Sequence, residues 1–422
     1  MRTIIYNIGK LYTFNHEQTP VKKEALEDCE VIENAFIVIE DDLITVVGSG
    51  DFSPYHDAVT TTMYDAKGLI VLPGLVDAHT HLVFGGSREH EYALKLQGVD
   101  YLEILRSGGG ILNTVAATRQ ASFDDLYNKA KKFADNMLIH GVTSFEAKSG
   151  YGLNLETEVK QLEVVKKLNE THPATIVSTF MPAHAIPLEY KDDPQGYVDL
   201  VINELLPKVA ALKLAKYCDI FCEDGVFNRQ QSEKILKRAQ ELGYTVKIHA
   251  DEVVPMGGAS LAAELKALSA EHLMATSDED MAAMAQANVI ANLLPATSFN
   301  LGKAYARAKT MIAKGVAVSI CSDFNPGSCP NENLQLTLQI GSRGYGMTPI
   351  AVYNSAIVNG SCSLQLQDDI GSITVGKKAD LIIMDAPNID YTIYHFGSNH
   401  VQDVFKDGKL VVKNKELVYE GK

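Results

Sequence analysis

The chain has 422 residues, of which 46% are hydrophobic and 22% charged, with a formal net charge of −15. This supports one large core with room for a smaller one, and it argues against disorder. The acidic balance disfavours nucleic acid and anionic membrane surfaces as partners, because phosphate binding needs clustered cations, whereas a small anionic substrate needs only one well-placed Arg.

Residues 1–70 contain short alternating runs, TIIYNIG, AFIVIED and LITVVG, followed by LIVLPG. The far end repeats the pattern in ADLIIMD and VFKDGKLVV, where Asp407-Gly408 between two apolar runs is a hairpin signal. The expectation is a small β-sandwich domain assembled from both termini, residues 1–72 with 362–422. Between them, eight apolar strand-like runs alternate with helical patterns: 75–82, 142–147, 176–181, 217–222, 245–250, 268–273, 289–294 and 316–322. Ser122 with Asp125, Ser232 and Ser277 are read as helix openings, with Gly141 and Gly243 as closures. Eight strands separated by helices predict an α/β fold, a (β/α)8 TIM barrel over 73–361. An open doubly wound sheet fits the same alternation.

The six cysteines form no CxxC pair, which points to a reduced, cytoplasmic protein. The opening MRTIIYNIGKLYTF lacks a signal-peptide core, and no apolar run approaches transmembrane length.

The strongest local signal is His79-Thr80-His81. Side chains at i and i+2 share a strand face, so both imidazoles can meet one metal ion. His249 ends the fifth run, His272 the sixth, and Asp323 the eighth. In a barrel these strand ends share one rim. His79, His81, His249 and Asp323 then form a three-histidine, one-carboxylate set suited to zinc or iron. The fourth run, YCDIFCEDG, offers no Lys to bridge two metals, so one metal is favoured, and Glu223 leaves a second one open. Glu252, three residues after His249, is a candidate proton shuttle. Arg88, in the Gly-containing loop after the first strand, is a candidate for holding a substrate carboxylate. Tyr151 and His184 reach the same rim, and Asn325-Pro326-Gly327-Ser328 is a stiff loop offering polar groups to substrate. Ser107-Gly108-Gly109-Gly110 lacks GxGxxG spacing and is not read as a phosphate cradle.

The segments PGLVDAHTH, HADE, SDFNPGS and GSITVGKKADLIIMD together resemble the amidohydrolase superfamily, over essentially the whole chain. Within it, HTHLVFGGSRE, LQGVDYLEILRSGGGI, EAKSGYGLN, FMPAHAIP, KIHADE and AEHL resemble the imidazolonepropionase family. That resemblance implies hydrolysis of 4-imidazolone-5-propanoate to N-formimidoyl-L-glutamate in histidine degradation. It implies one Zn(2+) or Fe(3+) per subunit on His79, His81, His249 and Asp323. It implies substrate contacts at Arg88, Tyr101, Tyr151, His184, Glu252, Asn325, Gly327 and Ser328, and a homodimer. The closing Ser328 stands where threonine is also expected, and either supplies a hydroxyl. The chemistry expected is attack of metal-bound hydroxide on the ring carbonyl, with Asp323 taking the water's proton, His272 steadying the oxyanion and Glu252 relaying a proton to the ring nitrogen. The alternative within the superfamily is a deaminase of a nucleobase or guanidine-like ring, against which Arg88 and the KSGYGL loop argue. A non-catalytic barrel would have lost metal ligands, and none is lost.

Overall fold

The computed structural model describes residues 2–98 and 109–421. Tyr101, Ser107 and Gly108 lie outside the described residues. The strands in chain order are β1 (Arg2–Tyr12), β2 (Val31–Glu40), β3 (Leu43–Ser49), β4 (Thr61–Asp65), β5 (Ile70–Pro73), β6 (Leu75–Asp77), β7 (Val142–Lys148), β8 (Thr175–Ala183) and β9 (Tyr217–Cys222). They continue with β10 (Thr245–Ala250), β11 (Ser269–His272), β12 (Ile290–Leu293), β13 (Val318–Ile320), β14 (Leu381–Met384), β15 (Val401–Lys406), β16 (Lys409–Lys413) and β17 (Glu416–Leu417).

Strands β6 to β13 form one eight-stranded parallel sheet in sequence order. Helices cover its outside, so its strands are buried on both faces and read as near-continuous apolar runs. The two edges meet at a bridge between Thr80 and Phe324. There the His81 N–H donates to the Phe324 carbonyl at 2.8 Å and the Asp323 N–H to the His79 carbonyl at 3.1 Å. The barrel is therefore the predicted TIM barrel, and its closing seam is made from the backbone of three candidate metal ligands. The first and eighth strands are shorter than their apolar runs, because both runs leave the regular ladder as they enter this seam.

Helix ends follow local capping chemistry. Ser122 and Asp125 form a capping box for the helix Phe123–Ile139, which buries Leu126, Ala130, Ala134 and Met137. Ser277 caps Asp278–Ala287. Ser232 opens no helix: the helix there is Arg229–Glu241, capped by Asn228 and Gln231, with Ser232 buried inside it. An Asn-x-x-Gln box one turn earlier satisfies two backbone N–H groups reciprocally, so it outcompetes a lone serine.

The termini form a second, nine-stranded mixed sheet, as expected for a domain built from both ends. β1 pairs antiparallel with β2 on one side, and on the other it pairs parallel with β4 and then β5. β14 pairs antiparallel with β5, which joins the two ends of the chain. Ile5, Leu11, Ile37, Val71, Ile383 and Phe405 share one core beneath it. β4 escaped the sequence reading because TTMYD carries little apolar alternation. The Asp407-Gly408 hairpin joins β15 to β16 with φ of 47° and 74°, the left-handed pair that such a two-residue turn requires. Among the described residues no helix is long and apolar enough to cross a membrane.

One buried ion pair stands where the two sheets meet. Lys406 Nζ lies 3.0 Å from Asp380 Oδ1 and 2.9 Å from Asp407 Oδ1, with the first two side chains almost fully buried. The Asp380 carbonyl accepts from Gly74 N–H, the residue that leads into β6. Lys406→Met would strand the Asp380 charge, and removing one partner of a buried pair costs about 3–5 kcal/mol. The expected outcome in urea unfolding is a loss of that size, largely recovered when Asp380 is replaced by Leu in the same protein. Unchanged stability of Lys406→Met would contradict this reading.

Candidate metal centre and active site

The side chains of Glu146 and Lys148 on β7, Asp219 on β9, Lys247 and His249 on β10, and Glu271 on β11 all project into the barrel. Lys148 Nζ sits 2.8 Å from Glu146 Oε2 and 2.7 Å from Asp219 Oδ2, and Lys247 Nζ sits 2.9 Å from Glu146 Oε1. These ionic side chains are completely buried. The alternation of charge at i and i+2 in EAK and KIH puts them on one face of each strand.

This layer supports the histidines above it. His79 Nδ1 lies 2.7 Å from Glu271 Oε2, and His249 Nδ1 lies 3.0 Å from Asp219 Oδ2. A carboxylate behind an imidazole fixes its tautomer and orientation and leaves the far nitrogen as a ligand. The far nitrogens, His79 Nε2 and His249 Nε2, are buried with no hydrogen-bond partner among the described residues, as are His81 Nδ1 and His272 Nδ1. Ligand atoms of His79, His81 and His249 lie within 4.8 Å of one another, and so do those of His79, His272 and Asp323. His79 Nε2 is 3.4 Å from Asp323 Oδ1, and the other Asp323 oxygen accepts from Thr297 Oγ1 at 2.6 Å. His272 and Asp323 both take left-handed φ, 69° and 57°, an uncommon backbone that aims both side chains at the centre.

The electrostatics point the same way. Burial pushes the pKa values of His79 and His81 well below the ordinary histidine value, and His184 and His272 down to about 3. These four are neutral imidazoles, the form that binds metal, whereas the Asp219 carboxylate beside His249 raises the pKa of that ring. Burial alone would discharge Lys148, but Asp219, Glu146 and Glu271 hold its pKa above the usual lysine range. Burial raises Asp77 to about 7 and also raises Glu271 and Asp323. The interior thus holds five carboxylates, Asp77, Glu146, Asp219, Glu271 and Asp323, against two lysines, Lys148 and Lys247. A cation among the orphaned imidazole nitrogens would meet their open coordination beside this excess of carboxyl groups, so the donor set fits a metal.

The other predicted residues surround this centre. The His184 ring stacks on His81 with centroids 4.9 Å apart, and Tyr151 lies 5.2 Å from His184 and 5.8 Å from His81. Glu252 Oε2 is 3.6 Å from His272 Nε2, and burial raises the Glu252 carboxyl to about 7. Arg88 donates its Nε to Glu91 Oε2 at 3.0 Å. Its other nitrogens lie flat against Gly327, where an added Cβ would come within 2.3 Å of Nη1. Asn325 is fully engaged inside its own loop: Nδ2 donates to the Asp323 carbonyl and Ser328 Oγ, and Oδ1 accepts from the N–H groups of Gly327 and Ser328. Both carboxylate oxygens of Glu223 accept backbone N–H groups, so this carboxylate is engaged in holding loops.

Sequence reasoning missed the supporting carboxylates. Glu158 accepts from the N–H groups of Gly150, Gly152 and Leu153, and so holds the loop that carries Tyr151. Glu91 also accepts from Gly110 N–H, which gives Gly110 a structural use at the start of the helix Ile111–Gln120. A charged residue inside an otherwise apolar strand was the available signal for Glu146, Asp219, Lys247 and Glu271.

Residues 70–411 match the Amidohydrolase family. The imidazolonepropionase of Fusobacterium nucleatum subsp. nucleatum is 54% identical over 411 residues, covering 97% of this chain and 98% of the relative. That of Alkaliphilus metalliredigens is 52% identical over 418 residues, covering 98% and 99%. Among solved structures, an adenosine deaminase from Xanthomonas campestris with bound Zn superposes with a TM-score of 0.72 at 18% identity, covering 99% of this chain and 94% of that one, a likeness of fold alone. Identity above one half along nearly the full length of both partners decides the narrower assignment: the chain belongs to the imidazolonepropionases, metal-dependent hydrolases of the amidohydrolase family.

Proposed function

We propose that the chain hydrolyses 4-imidazolone-5-propanoate to N-formimidoyl-L-glutamate, with one zinc or iron ion held by His79, His81, His249 and Asp323. The observation that carries this reading is the meeting of two features at one rim: a set of buried imidazoles, each with a ring nitrogen left unpartnered, and Arg88 presented through Gly327 beside Tyr151. The first suits a metal, and the second suits the propionate of a carboxylated substrate. The ion, when bound, supplies Lewis acidity toward the ring carbonyl and lowers the pKa of water from about 15.7 toward 7.

The chain's own residues do the rest. Arg88 and Tyr151 hold the propionate, the first by charge and the second by its un-ionised hydroxyl, whose pKa burial raises. His184, with its face against His81, sets the plane of the ring. The Asn325 loop offers Gly327 and Ser328 as a close-fitting wall, and Tyr101 is a further candidate contact. Asp323, fixed by Thr297, takes a proton from the attacking water. Glu252, with a pKa raised to about 7, accepts and returns a proton at neutral pH and delivers it to the leaving ring nitrogen. His272 steadies the developing negative charge on the carbonyl oxygen. On the same footing we read residues 1–72 with 362–422 as the β-domain, 73–361 as the barrel, the active form as a homodimer and the setting as cytoplasmic.

The test is to generate the substrate in place from urocanate with urocanase and to assay formimidoylglutamate before and after chelation. Product that disappears on chelation and returns with zinc or iron is the expected result. Ammonia released from a nucleobase ring, with no formimidoylglutamate, would favour a ring deaminase instead.

Two variants separate binding from chemistry. Glu252→Gln should lower kcat by at least about a hundredfold with KM little changed, the scale of a lost general acid–base. Arg88→Ala should raise KM about tenfold or more, the scale of a lost charged hydrogen bond. Near wild-type turnover in Glu252→Gln would remove the proton-shuttle role.

A further inference from the structure

Glu223 follows the last residue of β9 and is almost entirely buried. Its Oε2 accepts from Val253 N–H at 2.9 Å, and its Oε1 accepts from Asp224 N–H at 3.0 Å and Val254 N–H at 3.3 Å. The carboxylate therefore ties the loop after β9 to the loop after β10. Val253 N–H belongs to the peptide that also carries the Glu252 carbonyl, so the bond to Glu223 fixes the plane from which the Glu252 side chain departs.

The other flank of Glu252 is held in the same way. Asp251, with φ of 50°, accepts from the N–H groups of Met256, Gly258 and Ala259 and from Thr276 Oγ1. Glu252 thus stands between two carboxylate clamps, on a loop where Val253 is exposed and buries nothing to hold the backbone. No packed side chain of Val253 could replace the Glu223 contacts if they were lost.

We infer that Glu223 is a positioning residue for the reaction: it acts through Glu252 by clamping the Glu252–Val253–Val254 backbone onto the barrel rim. This rests on the proton-carrying role given to Glu252 above. A shift of about 1 Å in a catalytic group costs on the order of a hundredfold in rate. Breaking the clamp should therefore lower kcat without touching the propionate-binding residues that set KM.

The experiment uses the metal-loaded full chain carrying Glu223→Ala, Glu223→Gln, Glu252→Gln and the Glu223→Ala/Glu252→Gln pair. Glu223→Ala is expected to lower kcat about ten- to a hundredfold, with KM and metal content close to those of the parent. Glu223→Gln keeps one accepting oxygen and should recover part of the loss. In the Glu252→Gln background, Glu223→Ala should cost little more, because a residue acting through Glu252 has nothing left to position. Hydrogen exchange over residues 251–257 should quicken in both Glu223 variants, a readout that needs no turnover. A full multiplicative loss in the double variant, or a Glu223→Ala protein with parental kcat and parental exchange, would overturn the inference. Faster exchange with Glu252→Gln itself fully active would instead sink the proton-carrying role of Glu252 while leaving the clamp in place.

Discussion

The barrel interior buries more carboxyl groups than lysines, and most of the architecture around the site answers that constraint. Isolated buried charge is too costly to persist unpaired. Lys148 is shared between Glu146 and Asp219, and Lys247 takes the other oxygen of Glu146. Glu271 and Asp219 are left to turn the histidines, which turns an electrostatic liability into ligand orientation. A metal among the imidazoles would complete this balance, and the ion would then belong to the stability of the barrel as well as to its chemistry.

The same group is used a second way around the rim. Loops that cross the open end of the barrel bury apolar residues such as Leu82, Phe84, Leu153 and Phe324, but their backbone polar groups also need partners. Buried carboxylates collect their N–H groups: Glu158 under Tyr151, Glu223 and Asp251 on either side of Glu252, and Glu91 between Arg88 and Gly110. Each accepts several N–H groups at once, and charge-assisted bonds of this kind are the stronger ones. A reactive rim built on loops is thereby tied to the barrel.

The eight barrel runs were legible because parallel strands covered on both sides must be apolar, and their ends could be compared for His and Asp. His79, His81, His249, His272 and Asp323 were found that way, and the structure brings them together. The hairpin at Asp407-Gly408 was legible from turn chemistry alone. Other features were hidden for physical reasons. Asp219 and Glu271 owe their roles to distant partners, Lys148 at 71 residues from Asp219 and His79 at 192 residues from Glu271, which no local pattern encodes. The seam formed by Thr80 and Phe324 depends on closure of the whole sheet. The four side-chain hydrogen bonds of Asn325, all within its own loop, likewise depend on how that loop folds.

Metal content measured together with stability tests the charge balance most directly. The purified chain, freed of loose ions by gel filtration, would be analysed for zinc and iron and then unfolded in urea with and without prior chelation. The account predicts one ion per chain, a clear loss of stability on chelation, and its return when either metal is restored, since an ion that binds the folded state alone stabilises it. A chain that folds as stably without metal as with it would contradict the claim that a cation balances the barrel interior.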